Sequence, residues 1–585
     1  MNNDATVDPI LSEVIANLLL SVAEEIGYTL IRAAHSLNVR ERRDCSTAIM
    51  DPQGQIIAQA PFIPMHLGSM VGLIGRVLSR FPESSLRPGD VFVANDPYNG
   101  GGAHLPDITV VSPVFHGGKL VAFVANIAHH ADVGGMVPGS ESAACSTIFQ
   151  EGLRIPPVRI QADLGALDPV IQIIMLNSRT PDERLGDIQA QIAALHVGVR
   201  GMAEIFDRFG PATVSACTDG FLDYSEKRMR RFIGMLSEGV YRFSDYLDDD
   251  GFCEAAVQIQ VTAVVRSGGI DLDFSGTDPQ MPSGKNMPMV ATLSVVYCVV
   301  KMLLDPDVPA NSGTYRAVRV HAPEGCAVNP VPPAAVGARA ISCGILGDVV
   351  VGALAQAMQD RSLACSGPHA LTTFAGTDPL TGRPFVDYET VAGALGARPY
   401  RDGTDAVRVH ASGAANLPVE SLELAYPLQV VRYELVRDGG GAGAFRGGLP
   451  VRRDTRILAQ DATLSSTGDR LKHPAPGLGG GLAGAPGAFL LNPDSSTELT
   501  VPGVTAGLQV AVDDVVSVRT PGGGGYGDPL DRDPHKVADD LQDDRISAQA
   551  AEQVYGAVIR QGRLDEAATE RLRSRLSGKT IRSEE

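Results

Sequence analysis

The chain has 585 residues, 44% of them apolar, with 49 Lys and Arg against 68 Asp and Glu, a net charge of −19. That length calls for several domains rather than one core, and so acidic a chain, lacking Trp and poor in aromatics, is unsuited to nucleic acid. Eight scattered cysteines without a CxxC pair read as reduced thiols. The stretch MNNDATVDP has neither the basic nor the apolar region of a secretory signal, and the apolar run 287–304 is broken by Pro288, Thr292, Ser294 and Lys301. A cytoplasmic protein with no membrane partner is the expectation.

Asp8-Pro9 has the form of an N-cap followed by proline at the first helical position, and Ile10, Val14, Leu18, Val22, Ile26 and Leu30 extend a helix to about residue 35. STAIMD and QIIAQ alternate like strands around the turn Asp51-Pro-Gln-Gly54. Asp44 stands at the start of that hairpin beside Arg42 and Arg43, either as an ion-paired surface carboxylate or as one pointing into a neighbouring site. His66-Leu-Gly-Ser-Met70 is read as the start of a second helix running to about Phe81. After a strand ending at Asn95-Asp96-Pro97 comes the glycine-rich YNGGGAH loop. The apolar strands LPDITVVSPVFH and KLVAFVANIAHH then follow, turned at Gly117-Gly118.

Thr180 caps a long helix to about Phe209, Gly210-Pro211 breaks it, and a second helix runs to about Gly239; this hairpin is expected to pack on the N-terminal sheet or on a partner. Alternating strands follow from about Tyr241, with apolar helices near 290–304 and 345–359. Residues 425–530 mix glycine with β-formers, and their Gly runs read as tight turns, since none fits GxxxxGK[ST]. The charged tail offers helical segments at 536–541, 548–560 and 565–576. The expected class is α+β, multidomain, with mixed or antiparallel sheets and packed helices. The divisions are 1–240 with the helical hairpin 180–239, a central domain 241–424, a Gly-rich β domain 425–530 and a helical tail 531–585.

His104, Asp107, His129, His130 and Asp132 crowd into residues 91–135, although the chain has only twelve histidines. Adjacent antiparallel strands bring the start of one beside the end of the other, so His104 and Asp107 can meet His129 or His130. An N/O donor set of this kind suits Zn²⁺, Mn²⁺ or Fe²⁺, and an incomplete shell lets such an ion polarise a carbonyl or acidify water. His129 and His130 point to opposite faces if the strand continues through them, so one is a ligand candidate and the other an acid/base candidate. Asp132 carries the same ambiguity.

RERRDCSTAIMD, HLGSM, NDPYNGGGAHLPDITVVSPVF, the HHADVGG…PGS segment, QEGLRIPP, NSRTPDERLGDIQAQIAA, DFSGTDPQ, GAFRGG and TPGGGGYGDPL follow one another along the chain. In these motifs, from about residue 8 to 560, the sequence resembles the hydantoinase B/acetone carboxylase α-subunit family. The resemblance implies a partner, the hydantoinase A-type subunit, whose actin-like fold binds ATP and phosphorylates the substrate carbonyl oxygen. It implies one divalent metal (Zn, Mn or Fe) on Asp44, His104, Asp107 and His129, leaving His130 or Asp132 to pass a proton to the leaving nitrogen. A hetero-oligomer, A2B2 or larger, is expected. The reading that follows is the B-type component of an ATP-dependent hydrolase opening a hydantoin, lactam or 5-oxoproline-like ring. A ketone carboxylase α-subunit and a non-catalytic scaffold for the ATPase are the alternatives.

Overall fold

The computed structural model describes residues 8–577 apart from 61, 67, 359 and 360. Helix α1 (Pro9–Ala33) opens as its sequence dictates: the Asp8 carboxylate accepts the Ile10 N–H at 2.9 Å and Pro9 needs no partner. A single turn, α2 (Leu37–Arg40), leads into the hairpin of β1 (Cys45–Met50) and β2 (Ile56–Ala60). Pro64–His66 forms only a 3-10 turn, and α3 (Leu73–Arg80) starts after Gly72 at φ 81, so the helix expected from residue 66 begins later and His66 sits on a turn. Then come β3 (Val91–Ala94), β4 (Asp107–His116), β5 (Lys119–His129) and β6 (Val158–Ile160). The β4–β5 turn places Gly117 and Gly118 at φ 56 and 76, the conformation that a two-residue hairpin turn matched to strand twist requires.

These strands make one antiparallel sheet in the order β2-β1-β5-β4-β3-β6. After α4 (Pro169–Asn177), the long helix α5 (Pro181–Phe209) covers one face together with α1, and α6 (Pro211–Ile233) ends earlier than expected because a new strand starts at Gly239. Ile108, Val110, Val124 and Ala128 pack toward α1 and α5, while Val111, Phe123, Ala125 and Ile127 pack with Ile74 and Val77 of α3. Both faces are covered, which is why these strands read as continuous apolar runs. Gly198 lets α5 approach α1 closely: a Cβ there would lie 2.4 Å from Ile26.

The second sheet, in the order β10-β9-β8-β7, contains β7 (Gly239–Leu247), β8 (Val257–Arg266), β9 (Gly269–Asp273) and β10 (Val318–His321). Its inner positions Ile259, Val261 and Ala263 share a core with α7 (Met289–Leu304) and with α9 (Arg339–Leu354), which follows the short α8 (Ser312–Tyr315). Helix α1 and the helical run Arg339–Ala357 are long and apolar enough to cross a membrane by length and composition; the second is 89% buried within the protein, as a core helix is.

The remaining strands are β11 (Ala370–Thr377), β12 (Pro384–Val391), β13 (Leu428–Leu435, after helix α10, Val419–Ala425), β14 (Val451–Ile457), β15 (Thr463–Thr467), β16 (Ala488–Leu491), β17 (Leu499–Val501), β18 (Val504–Gln509) and β19 (Val515–Arg519). They form two sheets, β12-β11-β15-β18 and β13-β14-β19-β16-β17, over one core. The first draws strands from both sides of residue 424, so the expected boundary there passes through a sheet. The glycine runs are chiefly places of backbone-on-backbone packing. A Cβ on Gly522 would sit 1.8 Å from the Gly439 carbonyl, and one on Gly447 would sit 1.9 Å from that of Gly523. In the tail, α11 (Pro534–Gln542) covers the first expected segment. The segment expected as one helix over 548–560 is instead α12 (Ala548–Gln553) followed by a small hairpin, Ile559–Arg560 with Arg563–Leu564.

Candidate metal centre

Strand alternation decides which side chains meet. Asp107 opens β4, His129 closes β5, and their Cα atoms are register partners. His129 shares the face of Phe123, Ala125 and Ile127; Asp107 shares that of Thr109 and Val111. On the other side of β5, the His129 N–H donates to the Asp44 carbonyl at 3.0 Å, setting Asp44 on the same face as Ala48 and Met50 of β1. His104 arrives from the glycine loop, which Asn95 pins by donating to the carbonyls of Leu105 (2.8 Å) and Leu153 (2.9 Å). Gly102 is required by proximity, since a Cβ there would lie 2.3 Å from that of Asp107.

Asp44, His104, Asp107 and His129 thereby line one cavity of about 40 Å³. His104 Nδ1 donates to the Gly337 carbonyl at 2.8 Å, which fixes the tautomer and leaves Nε2 with a lone pair 3.1 Å from Asp107 Oδ1. Both of these atoms are buried without a hydrogen-bond partner. The other Asp107 oxygen receives Arg339 Nη2 at 2.6 Å. Burial alone would raise the Asp107 carboxyl; the Arg339 guanidinium opposes it, and the group is held well below the usual carboxylate range.

Glu141, which the spacing of the motif does not reveal, enters from the 133–140 loop, fully buried. Its Oε2 lies 3.4 Å from His129 Nε2 and 3.8 Å from His104 Nδ1, and its Oε1 has no partner. Burial pushes the Glu141 carboxyl up, but His104 and the hydrogen bond with His129 bring it below its ordinary value; burial pushes His129 down, and Glu141, Asp44 and Asp107 reverse that. One donor atom from each of His104, His129 and Glu141 fits within a 4.8 Å cluster. Two ligands about 2.1 Å from an ion, at angles of 90–110°, are roughly 3.0–3.4 Å apart. The unpartnered His104–Asp107 pair and the His129–Glu141 pair both have that spacing, so the residues present fit a divalent metal.

Further groups join from distant parts of the chain. Tyr388 on β12 stacks on His129 at 4.4 Å between centroids. His66 places Nε2 3.7 Å from Asp107 Oδ1 and Nδ1 3.2 Å from Ser46 Oγ. Two of the site's carboxylates follow a non-glycine residue in the left-handed region: Arg43 (φ 54) before Asp44, and Ser140 (φ 53) before Glu141.

His130 and Asp132 are elsewhere. His130 shares the opposite face of β5 with Asn126, and its Nε2 lies 3.0 Å from Gln191 Oε1 on α5. Burial and then Arg184 push its imidazole down to about 4. Asp132 binds Arg179 Nη1 at 2.8 Å and the Arg179 N–H at 2.7 Å, anchoring the loop that delivers Glu141. Neither faces the cavity, so the proton-transfer role expected for them has no geometric support.

The sequence profile of hydantoinase B/oxoprolinase matches residues 8–529. The chain is a member of the hydantoinase B/oxoprolinase family. Among its relatives, the B-type component of a putative D-/L-hydantoinase of Pseudomonas sp. (strain NS671) is 33% identical, over 94% of this chain and 95% of that protein. The β-subunit of the caprolactamase of Pseudomonas jessenii is 33% identical, over 96% and 98%. The crystal structure of the ATP-dependent caprolactamase from Pseudomonas jessenii superposes with a TM-score of 0.88 at 30% identity, covering 97% of this chain and all of that one. The nucleotide-free acetone carboxylase structure gives 0.89 at 20% identity, covering 99% of this chain and 84% of that one, a likeness of fold alone. This family member is thus α+β and multidomain, as its sequence implied.

Proposed function

We propose that the chain is the metal-bearing subunit of an ATP-dependent enzyme that opens a cyclic amide, acting on a ring whose carbonyl oxygen a partner A-type subunit has phosphorylated. The observation that carries this is the pair of unpartnered buried atoms, His104 Nε2 and Asp107 Oδ1, facing each other at 3.1 Å beneath a cavity. Support for the substrate class comes from relatives named hydantoinase and caprolactamase, matched over nearly their whole length. Asp44, His104, Asp107 and His129, which line the cavity, would hold the ion, with Glu141 beside His129 Nε2. Zn²⁺, Mn²⁺ or Fe²⁺ bound there would supply Lewis acidity toward water or a carbonyl oxygen.

The protein's own groups account for the rest. Arg339 keeps Asp107 ionised, and the Gly337 carbonyl keeps the His104 lone pair directed inward. Phosphorylation removes amide resonance, so water can add to the carbon and the ring C–N bond can break as a proton reaches the nitrogen. A second water then releases phosphate from the acyl phosphate. His66, lining the cavity beside Asp107, is the imidazole positioned for that proton transfer in place of His130.

The test is a purified complex with the A-type partner, given ATP and a panel of hydantoins, lactams and 5-oxoproline. Ring-opened product formed with ADP supports the reading. Incorporation of labelled bicarbonate into a ketone, with no ring opened, would replace it with a carboxylase.

A further inference from the structure

The cavity is also lined by Tyr388 and Thr390 of β12 and by two groups from outside it, His369 and Arg408. Arg408 donates Nη2 to the Thr390 carbonyl and leaves Nε without a partner. It makes no ion pair within 4.0 Å among the described residues, unlike Arg339, which is committed to Asp107. His369 lines the same cavity, is only 3% exposed and hydrogen-bonds nothing among the described residues. Burial first, then the charges of Arg408 and Arg42, hold its imidazole at about 3, so it is neutral and keeps one N–H to donate. Arg42 stands behind, 1% exposed, donating to the Tyr388 carbonyl at 2.8 Å and to the Thr390 hydroxyl, again with no carboxylate partner among the described residues. Desolvation and then Arg42 weigh against the Arg408 charge, and Asp44, which lines the same cavity, favours it.

We propose that Arg408 and His369 form an oxyanion pocket that receives the phosphoryl group of the activated substrate, holding the amide carbon toward His104 and Asp107. This rests on the cyclic-amide reading above and names the group that the site recognises. A guanidinium presents two parallel N–H donors that match phosphate, and a neutral imidazole adds a third.

Isothermal titration of the purified chain with inorganic phosphate tests this, with acetate and bicarbonate titrated alongside and metal content and melting curve measured for every variant. The expected result is tighter binding of phosphate than of either other anion, weakened about tenfold or more in Arg408→Gln and less in His369→Gln, with metal content unchanged. Arg408→Lys, which keeps the charge and loses the fork, should fall between and guards against a folding defect in the glutamine variant. Phosphate binding equal in wild type and folded Arg408→Gln would overturn the pocket, as would acetate or bicarbonate binding as tightly as phosphate. A chain that binds phosphate through Arg408 yet opens no ring with its partner would keep the pocket and end the hydrolase reading.

Discussion

Asp107→Asn is the sharpest perturbation of the site, because it replaces one oxygen by an amide and changes nothing in shape. Asp107 is wholly buried and Arg339 has 3% of its side chain exposed, with 2.6 Å between their charged atoms. Removing one partner of such a pair strands the other charge in a low-dielectric interior, at about 3–5 kcal/mol. Domains are held by only about 5–15 kcal/mol in total, so the loss is large. The thermal midpoint should be measured on chelator-treated protein, so that a lost metal does not contribute to the shift. The double variant Asp107→Asn/Arg339→Gln removes the stranded charge and should recover at least about half of that loss, while metal content stays as low as in the single variant. An Asp107→Asn protein as stable as wild type and still loaded with metal would refute both the buried-pair account and the ligand assignment.

Gly102→Ala places a Cβ 2.3 Å from the Asp107 Cβ, so Asp107 must move; metal occupancy by elemental analysis should drop although no ligand is changed. His130→Gln should cost about 1–3 kcal/mol in a melting experiment by disturbing the Gln191 contact, and leave metal content and turnover near wild type. Burial lifts the Glu151 carboxyl from 4.5 to about 8 against the two N–H groups, of Val336 and Gly337, that it accepts. The folded chain therefore keeps a proton that the unfolded chain releases above 4.5, so this group's contribution to stability falls as pH rises from 4.5 to 8. Glu151→Gln should flatten that part of the stability–pH curve, an effect on the order of 5 kcal/mol at most; an unchanged slope would contradict the raised value.

The first sheet and half of the site were legible because their signals are local. The β4 and β5 segments are contiguous apolar runs around a Gly-Gly turn, and antiparallel pairing alone brings Asp107 opposite His129. Strand alternation also foretold that His129 and His130 would part company, though not which would face the cavity. That depended on the helix covering each face, a long-range fact that only Gln191 on α5 makes visible. Glu141, Arg339, Tyr388 and Arg408 come from separate loops and elements whose sequences carry no metal-site spacing. Arg339 had one local sign, a cation at the head of the apolar helix α9, and Glu141 had only its place directly after the PGS motif. The boundary at 424 was drawn on glycine content, which reports tight backbone packing and not where a sheet ends.

The claim that this cavity is a metal centre is tested most directly by elemental analysis of the purified chain and of His104→Ala. One equivalent of a divalent transition metal per chain in the wild type, lost in a His104→Ala protein that still folds and joins its partner, is the predicted result. A ring-opening complex that contains no metal, or a His104→Ala chain that holds as much as the wild type, would contradict it.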